Sequence, residues 1–482
     1  MYGDITRDTF PYARETHISR VLMQQGRVLL DADWNLQVAV FWRYMRALAA
    51  DLIGPHGGNG FQIRPNDQVD NDFRIDPGHY YVDGLLCENE PGYTYRTSQS
   101  SSQDSRARLA AGLYVAYLNV WERQGQDDYF REKALNGVDT TTRIQVVWRV
   151  DTILLEDVHK LGNQEMNRLE EKAKELSEKL AAATDDKEKA ALRKQVDEVN
   201  MQLQELQTAF NANQAEVDKM VSTAVLHQKL VGGPNALLRA RIDPNIGSED
   251  PCILPPSSRY RGSENQLYRM EIHAGGEAGE ATFKWSRDNG SVSTAWLGIA
   301  EGALLVENVR GFEDGQWVEL THDDVDVDGT PGTLIKIVKV EDDRLVFDPA
   351  GDTPEFKGSY QHPLVRRWDQ VNNEKIDLID GAVPVEAGLN LPNNSTWIDL
   401  EDGIQIQFDQ GGNYHPGDYW LIPARTIGGQ IEWPTNGDPN GKFLPPHGVL
   451  HSYAPLARIT VDGSGNVTDA DDLRRIISPL AK

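Results

Sequence analysis

Three rhythms of apolar and polar residues follow one another along the chain. In "LQVAVFWRYMRALAADLIG", Val38, Phe41, Trp42, Met45, Leu48, Ala49 and Leu52 recur at steps of three and four, as one face of a helix does. The spacing predicts a helix over 36–53, stopped by Gly54-Pro55 and started by the "DADWN" turn, where Asp33 or Asn35 caps the first orphan amides. In that reading Trp34 is a packed anchor holding the helix against a β body, and Trp34→Ala costs roughly 3–5 kcal/mol, as loss of a buried large aromatic does. A paired-carboxylate site at the two aspartates would need a second acid or base brought from elsewhere in the fold.

From Phe61 to about Val150 the period shortens. "DFRIDPGHYYVDGLLCE", "GLYVAYLNVWERQ" and "TTRIQVVWRVDTILLE" read as strands divided by turns such as Asp76-Pro77-Gly78 and Asp83-Gly84. Residues 163–228 break that rhythm. Leu169, Ala173, Leu176, Leu180 and Ala183 recur at fours and threes, and after "TDDKE" so do Leu192, Val196, Val199, Leu203, Leu206 and Phe210. With Glu, Lys, Gln and Asp around them, these residues predict an antiparallel coiled-coil hairpin, its second helix capped by Thr184 or Asp185 and its rod free to seek a partner.

From Gly232 onward strands return, in "QLYRMEIHAGG", "ATFKWSRDNGSVSTAW", "GQWVELTHDD", "GTLIKIVKVEDDRLVFD", "GIQIQFD" and "GDYWLIPART". The fold class is therefore mainly β with an α insertion. An N-terminal arm and helix (1–60), a β-rich domain (61–155), the hairpin (156–231) and a second β-rich domain (232–482) follow in series. The last is a sandwich or small barrel, with a possible division near 355–375 at "EFKGSYQHPLVRRWDQ". No fixed-period repeat supports a solenoid or propeller.

Candidate chemistry is sparse. "DDVDVDG" alternates Asp324, Asp326 and Asp328 as calcium loops do, but the twelfth position counted from Asp323 is Leu334 rather than an acid and the flanks read as strands, so an Asp-rich β-turn is expected and calcium is the one cofactor kept in view. In "KWSRDNGS", Asn289-Gly290 between apolar runs is a hairpin signal, with Trp285 as a core residue. His447 and His451 in "PPHGVLHSYAP" have metal-ligand spacing only on a helix, which the flanking prolines and glycine oppose. A sugar groove could be lined by some of the 11 tryptophans beside Glu401 and Asp402, yet Trp121, Trp148, Trp285, Trp317 and Trp420 fall inside strands, where core packing accounts for them. Common nucleophile, nucleotide and dinucleotide fingerprints are missing, and no catalytic residue is assigned.

Charge narrows the partners. A net charge of −26 with no basic run disfavours nucleic acid and anionic membrane surfaces. Cys87 and Cys252 give neither a disulfide framework nor a metal spacing. "MYGDITRDTFPYARE" has no apolar signal core and no stretch approaches the ~18–20 apolar residues of a membrane span, so synthesis as a cytosolic chain is expected, with this first stretch as an arm that orders on docking.

Several segments taken together, "GDITRDTF", "SRVLMQQGRVLLDADWN", "LNVWER", "TTRIQVVWRV", "SRYRGSENQLYRMEIH", "ATFKWSRDNGSV", "EDGIQIQFD" and "GDYWLIPART", resemble the DUF6519 family, a bacterial family of unknown function. The resemblance covers nearly the whole chain outside 156–231, which looks like an insertion. It implies a setting rather than a mechanism, because such proteins tend to be encoded near extracellular contractile injection systems. The expectation is a structural or adaptor subunit of a phage-tail-like particle, cytoplasmic or released, associating as a trimer or hexamer and with other particle subunits. "FRIDPGHYYVDGLLCE" is also similar to a turn of phage baseplate and tail-fibre subunits. A glycan-binding or glycan-degrading protein of such a particle is the alternative.

Overall fold

The computed structural model describes residues 17–66, 72–90, 92–96, 109–125, 141, 143–182, 186–211, 236–244, 260–349, 354–372, 376–385, 397–409, 412–435, 437–448 and 450–477. The N-terminal arm, Cys252 and the end of the predicted hairpin lie outside them.

Helix α1 (Asp31–Ile53) begins at Asp31 rather than at residue 36, so Asp33, Trp34 and Asn35 sit inside its first turns. Its N-cap is Leu30 and no side chain caps it; Asp31 and Asp33 instead place negative charge against the positive end of the helix dipole. The helix rests on the body through Val40, its one buried residue, and through the ion pair of Arg46 with Asp83 at 2.7 Å. Trp34 is 64% exposed, which overturns its reading as a packed anchor: the face toward the body is that of Val40, and Trp34 lies on another.

Helices α2 (Leu155–Ala182) and α3 (Asp186–Asn211) interrupt the β structure, α2 continuing directly from strand Arg143–Leu154. Leu169 and Val199 are buried together, with Met166, Ala173, Leu176 and Leu203 packed around them. Leu180, Leu192 and Val196 are half-buried. The side chains of Leu206 and Phe210 are outside the described residues, which do not show a coiled-coil seam along the full length of both helices.

The β structure forms three cores. In the first, the hairpin Gly112–Gly125 and Arg143–Leu154 is extended by Ser452–Val461 and Val467–Asp472 into a four-stranded antiparallel sheet. Two three-stranded sheets from residues 56–94 share its core, which includes Phe61, Phe73, Tyr80, Leu118, Trp148 and Leu456. The turn Asp83-Gly84, at φ 49° and 73°, joins Gly78–Val82 to Leu85–Asn89 as its sequence predicts.

A second core lies between a five-stranded sheet (Val383–Pro384, Thr282–Ser286, Gln266–Ala274, Tyr419–Arg425, Gln430–Ile431) and a three-stranded one (Ile398–Asp399, Ile404–Phe408, Leu238–Ile242). The third fills a closed six-stranded barrel: Ser293–Ala300, Ala303–Val306, Arg344–Phe347, Thr333–Val340, Trp317–Thr321 and Leu364–Trp368, in that order around the wall.

The units are nested rather than serial. The barrel is inserted between two strands of the sandwich, and the chain then returns at Ser452 to the sheet it left at Leu154. Asn289 and Gly290 have the paired positive φ values, 55° and 61°, of a hairpin turn, but the flanking strands do not pair. Thr282–Ser286 stays in the sandwich sheet and Ser293–Ala300 opens the barrel, so the expected hairpin is a corner between two sheets.

The aspartate run also differs from its expected β-turn. Residues Asp323–Asp328 form a single helical turn, α4, closed by Gly329 in the left-handed conformation, with three aspartates favourably placed at its N-terminus. Among the described residues no helix is long and apolar enough to cross a membrane.

Candidate functional site

Strand alternation builds an unusual interior at the seam between sandwich and barrel. Along Gln266–Ala274, Tyr268, Met270 and Ile272 point into the sandwich core, so Arg269, Glu271 and His273 point to the opposite face. Glu271 is paired with Lys284 and Arg269 with Ser286 on the neighbouring strand, which puts all four on that face. An ordinary half-buried sheet would give it to water. Here the barrel covers it, and Arg269, Glu271, Lys284 and Ser286 are all buried.

The charges close on one another. Glu271 accepts from Arg269 at 2.6 Å and is ion-paired to Lys284 at 3.1 Å. Lys284 reaches across to Glu319 of the barrel strand Trp317–Thr321, and Glu319 also accepts from the Trp368 indole at 3.0 Å and from the Gly332 amide at 3.1 Å. The Lys284 ammonium stands 4.7 Å from the centre of the Trp368 ring, and the Arg269 guanidinium 3.7 Å from that of Tyr419. Arg269 also donates to the Asn289 carboxamide at 3.2 Å, and Arg366 to the Gly290 carbonyl. Arg269 and Lys284 thus meet Glu271 and Glu319 directly within the chain, the pairing that a desolvated cluster requires. His273, at the end of the row, is held down to about 4 by burial and by the nearby Lys284 charge.

A second polar group flanks the corner. Arg287 donates to Glu401 at 2.8 Å, and its amide donates to Asp369 at 2.9 Å. Arg367 pairs with Asp288 at 2.5 Å and with Asp369 at 3.3 Å. The Tyr268 hydroxyl donates to Glu401 at 3.0 Å and lies 3.5 Å from Asp402. Burial raises the carboxyls of Asp369 and Glu401 above their ordinary range and raises the Tyr268 phenol. Glu401 and Asp402 therefore both face one buried tyrosine hydroxyl, and Glu401 is also engaged by Arg287. The tryptophans are not arranged around them as a groove: Trp121, Trp148, Trp285 and Trp420 are buried in cores or sheets.

A model described as "Family of unknown function (DUF6519)" matches residues 1–468. The chain belongs to the DUF6519 family. No curated protein matches it. Among solved structures, one titled "Crystal structure of TssK" aligns at 9% identity over 84% of this chain and 99% of that chain, with a TM-score of 0.17, too low to support an argument from shared fold.

Four of the segments that resemble the family meet at the seam. "SRYRGSENQLYRMEIH" supplies Tyr268, Arg269 and Glu271; "ATFKWSRDNGSV" supplies Lys284, Arg287, Asp288 and Asn289; "EDGIQIQFD" supplies Glu401 and Asp402; and "GDYWLIPART" supplies Tyr419. Of the residues singled out from sequence, Trp285, Asn289, Gly290, Glu401 and Asp402 lie here. Asp324 is 3.8 Å from His322, and Asp326 accepts from Thr321 at 3.0 Å. The Asp328 side chain is outside the described residues, among which no group of three His, Cys, Asp or Glu is placed to hold a metal. His447 stacks on Tyr419 while His451 lies against Trp121 and Asn119, so the two do not converge.

Sequence reading missed Arg269, Glu271, Lys284, Glu319, Arg366 and Trp368. Its available signal was "YRMEIH" beside "FKWS", strands whose polar positions carry opposite charges in register; only the pairing itself reveals that they meet.

Proposed function

We propose that this DUF6519 protein is a structural or adaptor subunit of a contractile, phage-tail-like injection particle, in its baseplate or fibre region, acting through protein contacts rather than catalysis. The observation that carries the reading is how the family segments are used. Arg269, Glu271 and Lys284 from two of them pair with one another, and Lys284 also pairs with Glu319 of the barrel, in a buried ion-pair network that clamps barrel to sandwich. Such a network fixes the relative placement of two units, which a load-bearing subunit needs and a hydrolytic site, with an acid or base free to meet substrate, does not.

Helices α2 and α3 are, in this proposal, the base of a coiled-coil arm whose seam runs from Leu169, Leu176 and Leu180 on one helix to Leu192, Val196, Val199, Leu203, Leu206 and Phe210 on the other, and whose outer face meets a neighbouring subunit. The test is fractionation of particles from cells carrying a tagged chain. The chain should sediment with the contractile particles, and its removal should leave them incomplete. A chain that stays in the unsedimented fraction while complete particles form without it overturns the proposal.

A further inference from the structure

Helix α1 carries two faces of opposite character. One holds the body through Val40 and the Arg46–Asp83 pair. The other presents Trp34, Val38, Phe41, Met45, Leu48 and Leu52, at successive steps of four, three, four, three and four. All six are between 41% and 75% exposed.

Trp34, Phe41 and Leu48 step by seven, as do Val38, Met45 and Leu52, so the stripe fits the heptad register of a helix packed along other helices. Trp42 and Tyr44 flank the stripe and are also exposed, so the apolar arc is wider than the narrow seam a two-stranded coil buries. At roughly 100 Å² of open area per side chain, these eight residues offer about 800 Å² per copy, the amount that a stable association covers on each partner. No acidic residue falls within the stripe, whereas the chain as a whole carries −26, so an anionic lipid surface is a poor match and another such stripe a good one.

We infer that α1 is the oligomerisation element of this protein, packing in parallel with the α1 helices of two further copies of the same chain around a common axis. The inference rests on the proposed structural role and names the surface through which it works. Cyclic symmetry makes the helices parallel and gives each copy the same contacts. The segment before the helix adds to the patch, since Leu22, Val28 and Leu29 are exposed and Val21 is tied back to α1 by its amide bond to Gln37 at 2.8 Å.

Light scattering on the full chain tests this, beside a Val38→Lys/Met45→Lys variant. The expected result is a mass three times the 53.9 kDa of one chain, falling to one third in the variant, which keeps the native circular-dichroism spectrum and a single cooperative unfolding transition. A second readout covers a variant that misfolds: Leu48→Cys in a Cys252→Ser background should cross-link between copies on mild oxidation, Cys87 being buried and silent. A monomeric full chain at tens of micromolar, a variant that keeps the full mass, or a monomer that floats with phosphatidylcholine vesicles through α1 overturns the inference. A monomer that still sediments with particles would leave the structural role standing without this surface. A trimer never found in particles would do the reverse.

Discussion

The seam between sandwich and barrel and the outer face of α1 invert the usual distribution of residues in opposite senses. At the seam, arginine, lysine and glutamate are buried; on α1, tryptophan, phenylalanine and leucine are exposed. The difference is one of closure. Every charge at the seam meets an opposite charge or a hydrogen-bond partner from its own chain, so the inversion is complete within one molecule. Among the described residues the stripe on α1 stays exposed, and exposed apolar area on this scale marks a surface that another molecule covers.

Removing one charge from the seam should break the comparison most strongly. Lys284→Met leaves Glu271 and Glu319 buried without their shared cation, and should cost about 3–5 kcal/mol in denaturant unfolding. A loss below ~1 kcal/mol would mean that water reaches the cluster.

Acid should act next. His273 and His451 are both held down to about 4 by burial, helped by Lys284 and Arg149 respectively. An unfolded histidine titrates near ~6.5, so the unfolded chain binds these protons first. The contribution is fully present above pH ~6.5 and is lost as pH falls through the window from ~6.5 to ~4, by about 2–3 kcal/mol for each ring after allowing for its remaining solvent contact. Asp369 and Glu401, raised by burial, lean the other way by taking up protons more readily when folded. The difference between the native chain and a His273→Gln/His451→Gln variant isolates the histidines: the variant's melting temperature should fall less between pH 7 and 4.5.

Asn289→Ala should cost about 1–3 kcal/mol, because it removes the acceptor of Arg269 and puts alanine at φ 55°. Trp34→Ala should have the smallest effect on unfolding of the isolated chain, under ~1 kcal/mol, since its ring is already in solvent. A loss of 3–5 kcal/mol there would restore the packed-anchor reading.

These contrasts also mark what the sequence could and could not convey. Apolar period revealed α1 and the strands, because side-chain spacing records local geometry directly. It could not say which way a face points. The stripe containing Trp34 has the pattern of a core-facing helix and faces outward, and the Arg269–Glu271 row has the pattern of a solvent-facing strand and lies inside. Asn289-Gly290 signalled its backbone conformation correctly and its strand partners wrongly, since positive φ at two residues is local while pairing is set by the rest of the sheet. The return of Ser452–Val461 to Gly112–Gly125 left no trace in either segment alone. For the same reason the meeting of four family segments at one seam became visible only in three dimensions.

Hydrogen–deuterium exchange of the full chain at two concentrations, tens of nanomolar and tens of micromolar, tests the central contrast most directly. The account predicts that amides of Asp31–Ile53 gain protection at the higher concentration, while those of Gln266–Ala274 and Trp317–Thr321 are equally protected at both. Protection of α1 that does not change with concentration, or a seam whose protection rises with it, would contradict the assignment of one region to the chain itself and the other to its neighbours.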